Sequence, residues 1–416
     1  MTHTPREIAT TVALGLPAVL GAGVFAGFAP AAALAGWWSL PALALSAAAA
    51  LCCAYSTAGQ SRALPDAAGG YGYVRAQLGV LPARVTASAH LLGRCAMAAA
   101  IAAMFGAYVV PGQPVLGALA LVVATVLLGA AGFRFTTGVS VAVSLLVLGV
   151  LALVVAASFS IAPVPSAGET GTAQELIGVA GVLFVAFTGF ERVTAPLRGE
   201  RPHPVAALRV AIPVLIGLSF AVCLAVGAAV LRQLGSVRLA LSPAPLRDTL
   251  VAADASVLVP LVQIAAAVAG VAALHFVLGS AHRTLTGLTE DGELPARLGP
   301  IARTVLVVAA TAAAVVVLPP ATALGVAACS TLFYYAFTNA SARVLLQNDR
   351  TWPMRTACLG LGLSVLLAMS TPVPALLVSL AGLGAGTGLI SLTASLRRRR
   401  AASPPRTPPA RTPGRS

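Results

Sequence analysis

Lysine is absent from this chain, so all 26 basic residues among its 416 are arginines, set against only 12 aspartates and glutamates. Charged side chains make up 9% and apolar ones 58%, where soluble domains average about 25% and about 45–50%. So little charge excludes an ordinary soluble domain, and the chain reads as a polytopic membrane protein. The six cysteines, Cys52, Cys53, Cys95, Cys223, Cys329 and Cys358, lie in apolar runs with no CxxC pair among them, which argues against disulfides and zinc. The sequence has no P-loop, no GxSxG and no cluster of metal ligands. An enzyme is therefore not expected, and no cofactor or metal is implied. No small-residue cleavage site follows the polar start, so no removable signal peptide is read.

Long apolar runs take the place of what is missing. About twelve recur, near 8–29, 36–58, 85–109, 115–132, 137–159, 174–195, 206–230, 255–284, 302–318, 321–345, 355–370 and 372–394, and each suits a hydrocarbon core of roughly 30 Å. The net charge of +14 would suggest nucleic acid in a soluble protein, but its placement points elsewhere. The loops at 60–84, 133–136, 196–209, 283–303 and 343–355, with the two termini, hold nearly all the arginines, and the opposite side has only Arg232, Arg238 and Arg247. The positive-inside rule then puts both termini in the cytoplasm of a plasma-membrane protein. Residues 397–416, RRRRAASPPRTPPARTPGRS, are too polar and proline-rich to fold and predict a disordered tail attracted to anionic lipid. Nucleic acid is not an expected partner.

The first run is apolar like a membrane helix yet carries Gly15, Gly21, Gly23 and Gly27 between Pro17 and Pro30. An interrupted helix is tolerated at membrane depth only where its freed backbone is buried in protein or lines a wet cavity. At Gly21, Ala22, Gly23 and Val24 amide groups would be open to an anionic ligand; the alternative is that the glycines only allow close helix packing. Arg94 lies deep in the third run, where a charge costs about 2.5 kcal/mol or more unless paired, so it should face the bundle interior, in a structural pair or on substrate. His90 and His275 also fall within runs, packed or liganding. Tyr71 and Tyr73 suit a membrane interface.

The segment GAGVF, followed by P-x-x-x-G-G-Y-x-Y-x-R-x-x-x-G at Pro65, Gly69, Gly70, Tyr71, Tyr73, Arg75 and Gly79, resembles the amino acid, polyamine and organocation permease superfamily. Arg283, Asp291, Gly292, Leu294 and Pro295 are similar to that family's run before an acidic turn, with Glu290 in place of its usual arginine. The resemblance covers nearly all of 5–345 and implies an all-α membrane fold of about twelve helices. It implies two inverted repeats, about 8–159 and 174–345, each opening with a discontinuous helix. Accessory helices at about 355–394 then complete a transporter domain over 1–396. The lysine that many relatives carry in the fifth helix has no counterpart here.

The sixth run resembles the family's second interrupted helix, with Phe187, Gly189 and Phe190 matching its centre. That likeness implies substrate contacts from Ala186, Phe187, Thr188 and Gly189 opposite the first break. Val185 stands where relatives often have a gating aromatic, so Phe184, Phe187 and Phe190 are the gate candidates. Gly199 and Glu200 stand where relatives have an acidic pair. Glu191 is one of very few acids inside a run, where it either carries a proton or forms an ion pair with Arg94 or Arg192. Thr338 and Asn339 either line the cavity or bond across helices. The function implied is secondary active transport of an amino acid, by proton symport or exchange, in a monomer or homodimer. A polyamine or cationic amino acid exchanger or exporter is the alternative, and a ligand-binding channel or sensor is further off.

Overall fold

The computed structural model describes residues 5–21, 23–133, 135–163, 171–195 and 203–402, and among these every regular element is helical. The first apolar run forms α1 (Pro5–Leu20), α2 (Gly23–Ala26) and α3 (Phe28–Ala35), and the second forms α4 (Ser39–Ala63). A short helix, α5 (Gly69–Leu78), leads to α6 (Val80–Val109), α7 (Pro114–Ala130) and α8 (Thr137–Ser160). The sixth run is α9 (Leu176–Leu183), a tighter turn at Phe184–Phe187, and α10 (Glu191–Thr194). Then follow α11 (Val205–Leu241), α12 (Pro245–Ala252), α13 (Val259–Glu290), α14 (Pro300–Val317), α15 (Pro320–Val344), α16 (Met354–Met369) and α17 (Val373–Ala402).

Among the described residues eight helical stretches are long and apolar enough to cross a membrane, and four shorter apolar ones, Ile8–Pro17, Pro114–Ala130, Ala173–Phe187 and Met354–Met369, accompany them. Each expected run falls on one of these. Helices are the natural outcome, since apolar side chains in lipid leave the backbone to satisfy its own hydrogen bonds. Pro114, Pro245, Pro300 and Pro320 stand in first turns, where a missing amide costs nothing. At the centre lie α6 and α15, packed on each other; α6 also meets α13, α7 and α17. Outward-facing α14 and α17 expose Ile301, Val305, Val316, Leu377 and Leu389, which suits lipid contact.

Three expectations change. The loop 60–84 contains α5, whose glycine-rich sequence hides its helical character because its buried face, Tyr71, Tyr73 and Val74, packs inward. Both tyrosines are therefore buried rather than placed at a membrane interface. The expected boundary at 396 also moves: α17 runs to Ala402, and Arg397 Nη1 donates to the carbonyls of Gly292, at 2.9 Å, and Leu294. Tertiary hydrogen bonds thus hold a polar stretch in helix. Arg134, Gly199, Glu200, Ala22 and the tail from 403 lie outside the described residues.

Candidate functional site

Both interruptions occur where the glycines stand. α1 ends at Leu20 and α2 starts at Gly23. In the sixth run Thr188 is extended, its amide (3.3 Å) and hydroxyl (2.8 Å) both donating to Val185 O, and Gly189 takes φ 115°, a left-handed conformation that favours glycine. The two interruptions touch. A Cβ on Gly23 would overlap Cα and Cβ of Ala186, and one on Gly21 would overlap Ala273 Cβ and sit 2.9 Å from Ala269 O. Val24, Ala186, Phe187, Phe184 and Phe190 are all buried. Phe184 and Phe190 pack their rings on Tyr335, with centroids 5.6 and 5.3 Å away.

On one side of this contact the bundle is sealed. Tyr108 of α6 is buried, donates its hydroxyl to Phe25 O at 3.4 Å and accepts from Leu246 N of α12 at 3.1 Å. Its ring meets that of Phe25 edge-on at 5.8 Å. On the other side lies a cavity of about 210 Å³, lined among others by His90, Glu191, Ser280, Arg283, Thr284 and Tyr334. Its outer part is bounded by Pro65, Ala67 and Gly69 before and in α5, and by Glu290 at the end of α13.

A continuous polar network backs the cavity and reaches its wall at His90, Thr284 and Glu191. Arg94 Nη2 pairs with Glu191 Oε2, both side chains buried, while Tyr335 Oη donates to Glu191 Oε1 at 2.8 Å. Arg94 Nε lies 3.1 Å from His90 Nε2. A guanidinium only donates, so Nε2 must accept. The ring proton then sits on Nδ1 and is donated to Thr284 Oγ1, 2.8 Å away. His90 is thus a neutral, committed side chain, stacked at 4.6 Å on Tyr334. An isolated buried charge would be prohibitive; here the carboxylate and guanidinium satisfy each other.

Below the cavity, the loop after α13 is tied down by charge. Glu293 accepts from Arg75 Nη1 at 2.8 Å and from Arg84 Nε at 2.9 Å, and Asp291 lies 3.4 Å from Arg75 Nε. Burial pushes the Glu293 carboxyl up, but the hydrogen bonds from Arg75 and Arg84 outweigh it and hold the group below its ordinary value.

Of the site residues predicted, Glu191 lines the cavity, whereas Gly21, Gly23, Val24, Ala186, Phe187, Thr188 and Gly189 are buried in or beside the closed contact. The expected pairing of Glu191 with Arg94 is present. Asn339 bonds across helices, to Cys53 Sγ at 3.3 Å, and Thr338 bonds to Tyr334 O at 2.8 Å. His275 packs on Phe135. Sequence reasoning did not single out Ser280, Thr284 or Tyr334, and read Arg283 as a loop arginine. Their signal is helical spacing: Ser280, Arg283, Thr284 and Gly287 fall on one face of α13.

No family model matches the chain. Its backbone resembles crystal structures of two mutants of the Eremococcus coleocola manganese transporter, each with a TM-score of 0.59, at 14% and 15% identity, over 96% of this chain and 97% of that one. At that identity the likeness concerns the fold, which is a transporter fold. In sequence the chain is 35% identical, over 93% of its length and 91% of theirs, to the uncharacterized transporters Rv1999c of Mycobacterium tuberculosis (strain ATCC 25618 / H37Rv) and Mb2022c of Mycobacterium bovis. With that similarity along nearly the whole chain, the protein belongs to the same family as these mycobacterial proteins and is a multi-pass membrane transporter.

Proposed function

We propose that the protein is a secondary active transporter that moves an amino acid across the plasma membrane by alternating access, with both termini in the cytoplasm. The observation that carries this reading is the meeting of two interrupted helices at Gly23 and Ala186, closed on one side by Tyr108 and hollow on the other. Interrupted helices in corresponding positions of two repeats mark the substrate site of many transporters. In this reading the repeats are 8–159 and 174–345, and the state described is open toward the side of α5 and α10. Opening between Gly21–Gly23 and Ala186–Gly189 would expose backbone amides to a carboxylate.

A divalent cation, as the manganese transporters of similar fold suggest, is a weaker fit. The described residues contain no group of three or more His, Cys, Asp or Glu side chains suited to a metal ion. A polyamine would need acidic side chains, but Glu191 is already engaged by Arg94 and Tyr335.

Counterflow in proteoliposomes tests the reading. Labelled neutral amino acid should accumulate transiently when unlabelled amino acid is trapped inside, as a carrier requires. Uptake of Mn²⁺ or putrescine with no amino acid counterflow would overturn it. Glu191 is the proposed proton carrier of the cycle. Glu191→Gln keeps an acceptor for Arg94 but cannot titrate, so it should retain exchange and lose accumulation driven by a pH gradient. Undiminished accumulation by that variant would remove Glu191 from the coupling role.

A further inference from the structure

Among the charges that line the cavity, Arg283 is set apart. Glu191 is neutralised by Arg94, and Glu290 has an interaction of its own. Arg283 is exposed, and among the described residues no hydrogen-bond acceptor or carboxylate engages its guanidinium. Its guanidinium carbon lies 5.9 Å from the centroid of the Phe276 ring, two turns back on α13. At the mouth of the cavity its guanidinium is open to water or to an anion. The face it shares with Ser280 and Thr284 adds hydroxyl groups, and Thr284 already accepts from His90, which leaves its own proton directed along α13 toward Ser280 O at 3.5 Å. The site therefore offers a planar, five-donor cation with one aromatic wall and, among the described residues, no carboxylate within hydrogen-bond distance, Glu191 being taken up by Arg94.

We infer that Arg283 is an anion-docking residue of the cavity, taking the carboxylate of a small organic solute in a bidentate bond. This deepens the transporter reading and rests on it: the solute's carboxylate is held at Arg283 while the Gly23–Ala186 contact is closed, before or after its passage to the interrupted helices. Arg283 would then serve as a station on the path. The fit to carboxylate comes from the fork geometry, and the roughly 210 Å³ of space admits a molecule of amino acid size.

The test uses the full chain purified into phosphatidylcholine nanodiscs, with the thermal unfolding midpoint as readout. The probes are a panel of neutral L-amino acids, the corresponding amides, propionate, succinate and putrescine. Carboxylates should raise the midpoint, and amides and putrescine should not. This comparison uses the unaltered protein, so it decides the question even where a variant folds poorly. Arg283→Gln should weaken carboxylate binding by about ten- to a hundredfold, and Arg283→Lys should recover part of that loss. A carboxylate shift unchanged in R283Q, a shift given equally by the amides, or no shift with any carboxylate would each overturn the assignment. The two readings separate cleanly. Stabilisation by propionate or succinate that is lost in R283Q, with none from amino acids, would sink the amino acid reading and leave Arg283 as an anion site. Amino acid binding indifferent to R283Q would do the reverse.

Discussion

Where the two interrupted segments meet, between Gly23 and Ala186, the interior is closed even to one added carbon atom; a little further along the sixth run, where Glu191 faces Tyr334 of α15 across the cavity, it is hollow and polar. The two regions are neighbours in sequence and serve one site, yet they are held by different forces. At the closed contact shape decides, because glycine lets two backbones approach and the side chains of Val24, Ala186 and Phe187 beside them are apolar and buried. Beside the cavity charge decides, because the buried side chains of Arg94, Glu191 and Tyr335 satisfy one another. A contact made by shape alone separates at little electrostatic cost, which suits a surface that must open in a transport cycle. The polar wall offers no such ease and belongs to the rigid part. The comparison can be broken by removing charge from the second region or adding volume to the first.

Removing charge should have the larger effect. Glu191→Ala leaves the Arg94 guanidinium buried without its carboxylate, and breaking one partner of a buried pair costs about 3–5 kcal/mol. Urea or thermal unfolding of the purified variant should show that loss, and replacing Arg94 by methionine in the same chain should restore much of it. If Glu191→Ala is as stable as the parent, the pair is not what holds α10 to α6 and α15.

Adding volume comes next. Gly23→Ala places a methyl group against Ala186, and overpacking of a close contact costs typically about 1–3 kcal/mol. Thermal unfolding should show a lower midpoint, and the partner change Ala186→Gly should relieve only part of the loss, since it removes Cβ but leaves Cα and N of residue 186 against the added methyl. Equal stability of Gly23→Ala and parent would mean that the two segments are not in contact in the resting protein.

The same contrast explains what could be read from the sequence. Apolar length and glycine positions are local properties, so the runs and the interruptions at Gly21–Gly23 and Gly189 were legible. The ion pair of Arg94 was legible too, because a lone charge in a span must find a partner and Glu191 was among very few acids available. The cavity was not legible. It depends on which face α13 turns toward α6, and the polar spacing of Ser280, Arg283 and Thr284 would look the same if that face packed against another helix. Tyr71 and Tyr73 misled for a related reason: an amphipathic ring suits a membrane interface and a cavity wall equally well. The sequence also led to the expectation of carboxylate contacts at the interrupted helices, a surface that is closed in the state described.

The smallest effect should come from the loop below the cavity, where charge also acts but nearer to solvent. Glu293 is buried at 2% side-chain exposure, while Arg75, one of its two partners, is 28% exposed, so part of the interaction is screened. Burial opposes ionisation of Glu293, and the bonds from Arg75 and Arg84 overcome it, so the folded carboxyl titrates below the ordinary value of 4.5. A depressed folded value means that the unfolded chain takes up the proton first as pH falls. The stabilisation is therefore fully present above about pH 5 and drains away as pH falls through the ordinary value toward the folded one. Other carboxylates titrate in the same window, so the informative quantity is the difference in unfolding midpoint between the parent and Glu293→Gln. At neutral pH the parent should be the more stable, and the gap should narrow steadily below pH 4.5 and shrink in high salt. A gap that stays constant from neutral to acid pH would show that Glu293 holds the loop through its shape and hydrogen bonds rather than through its charge.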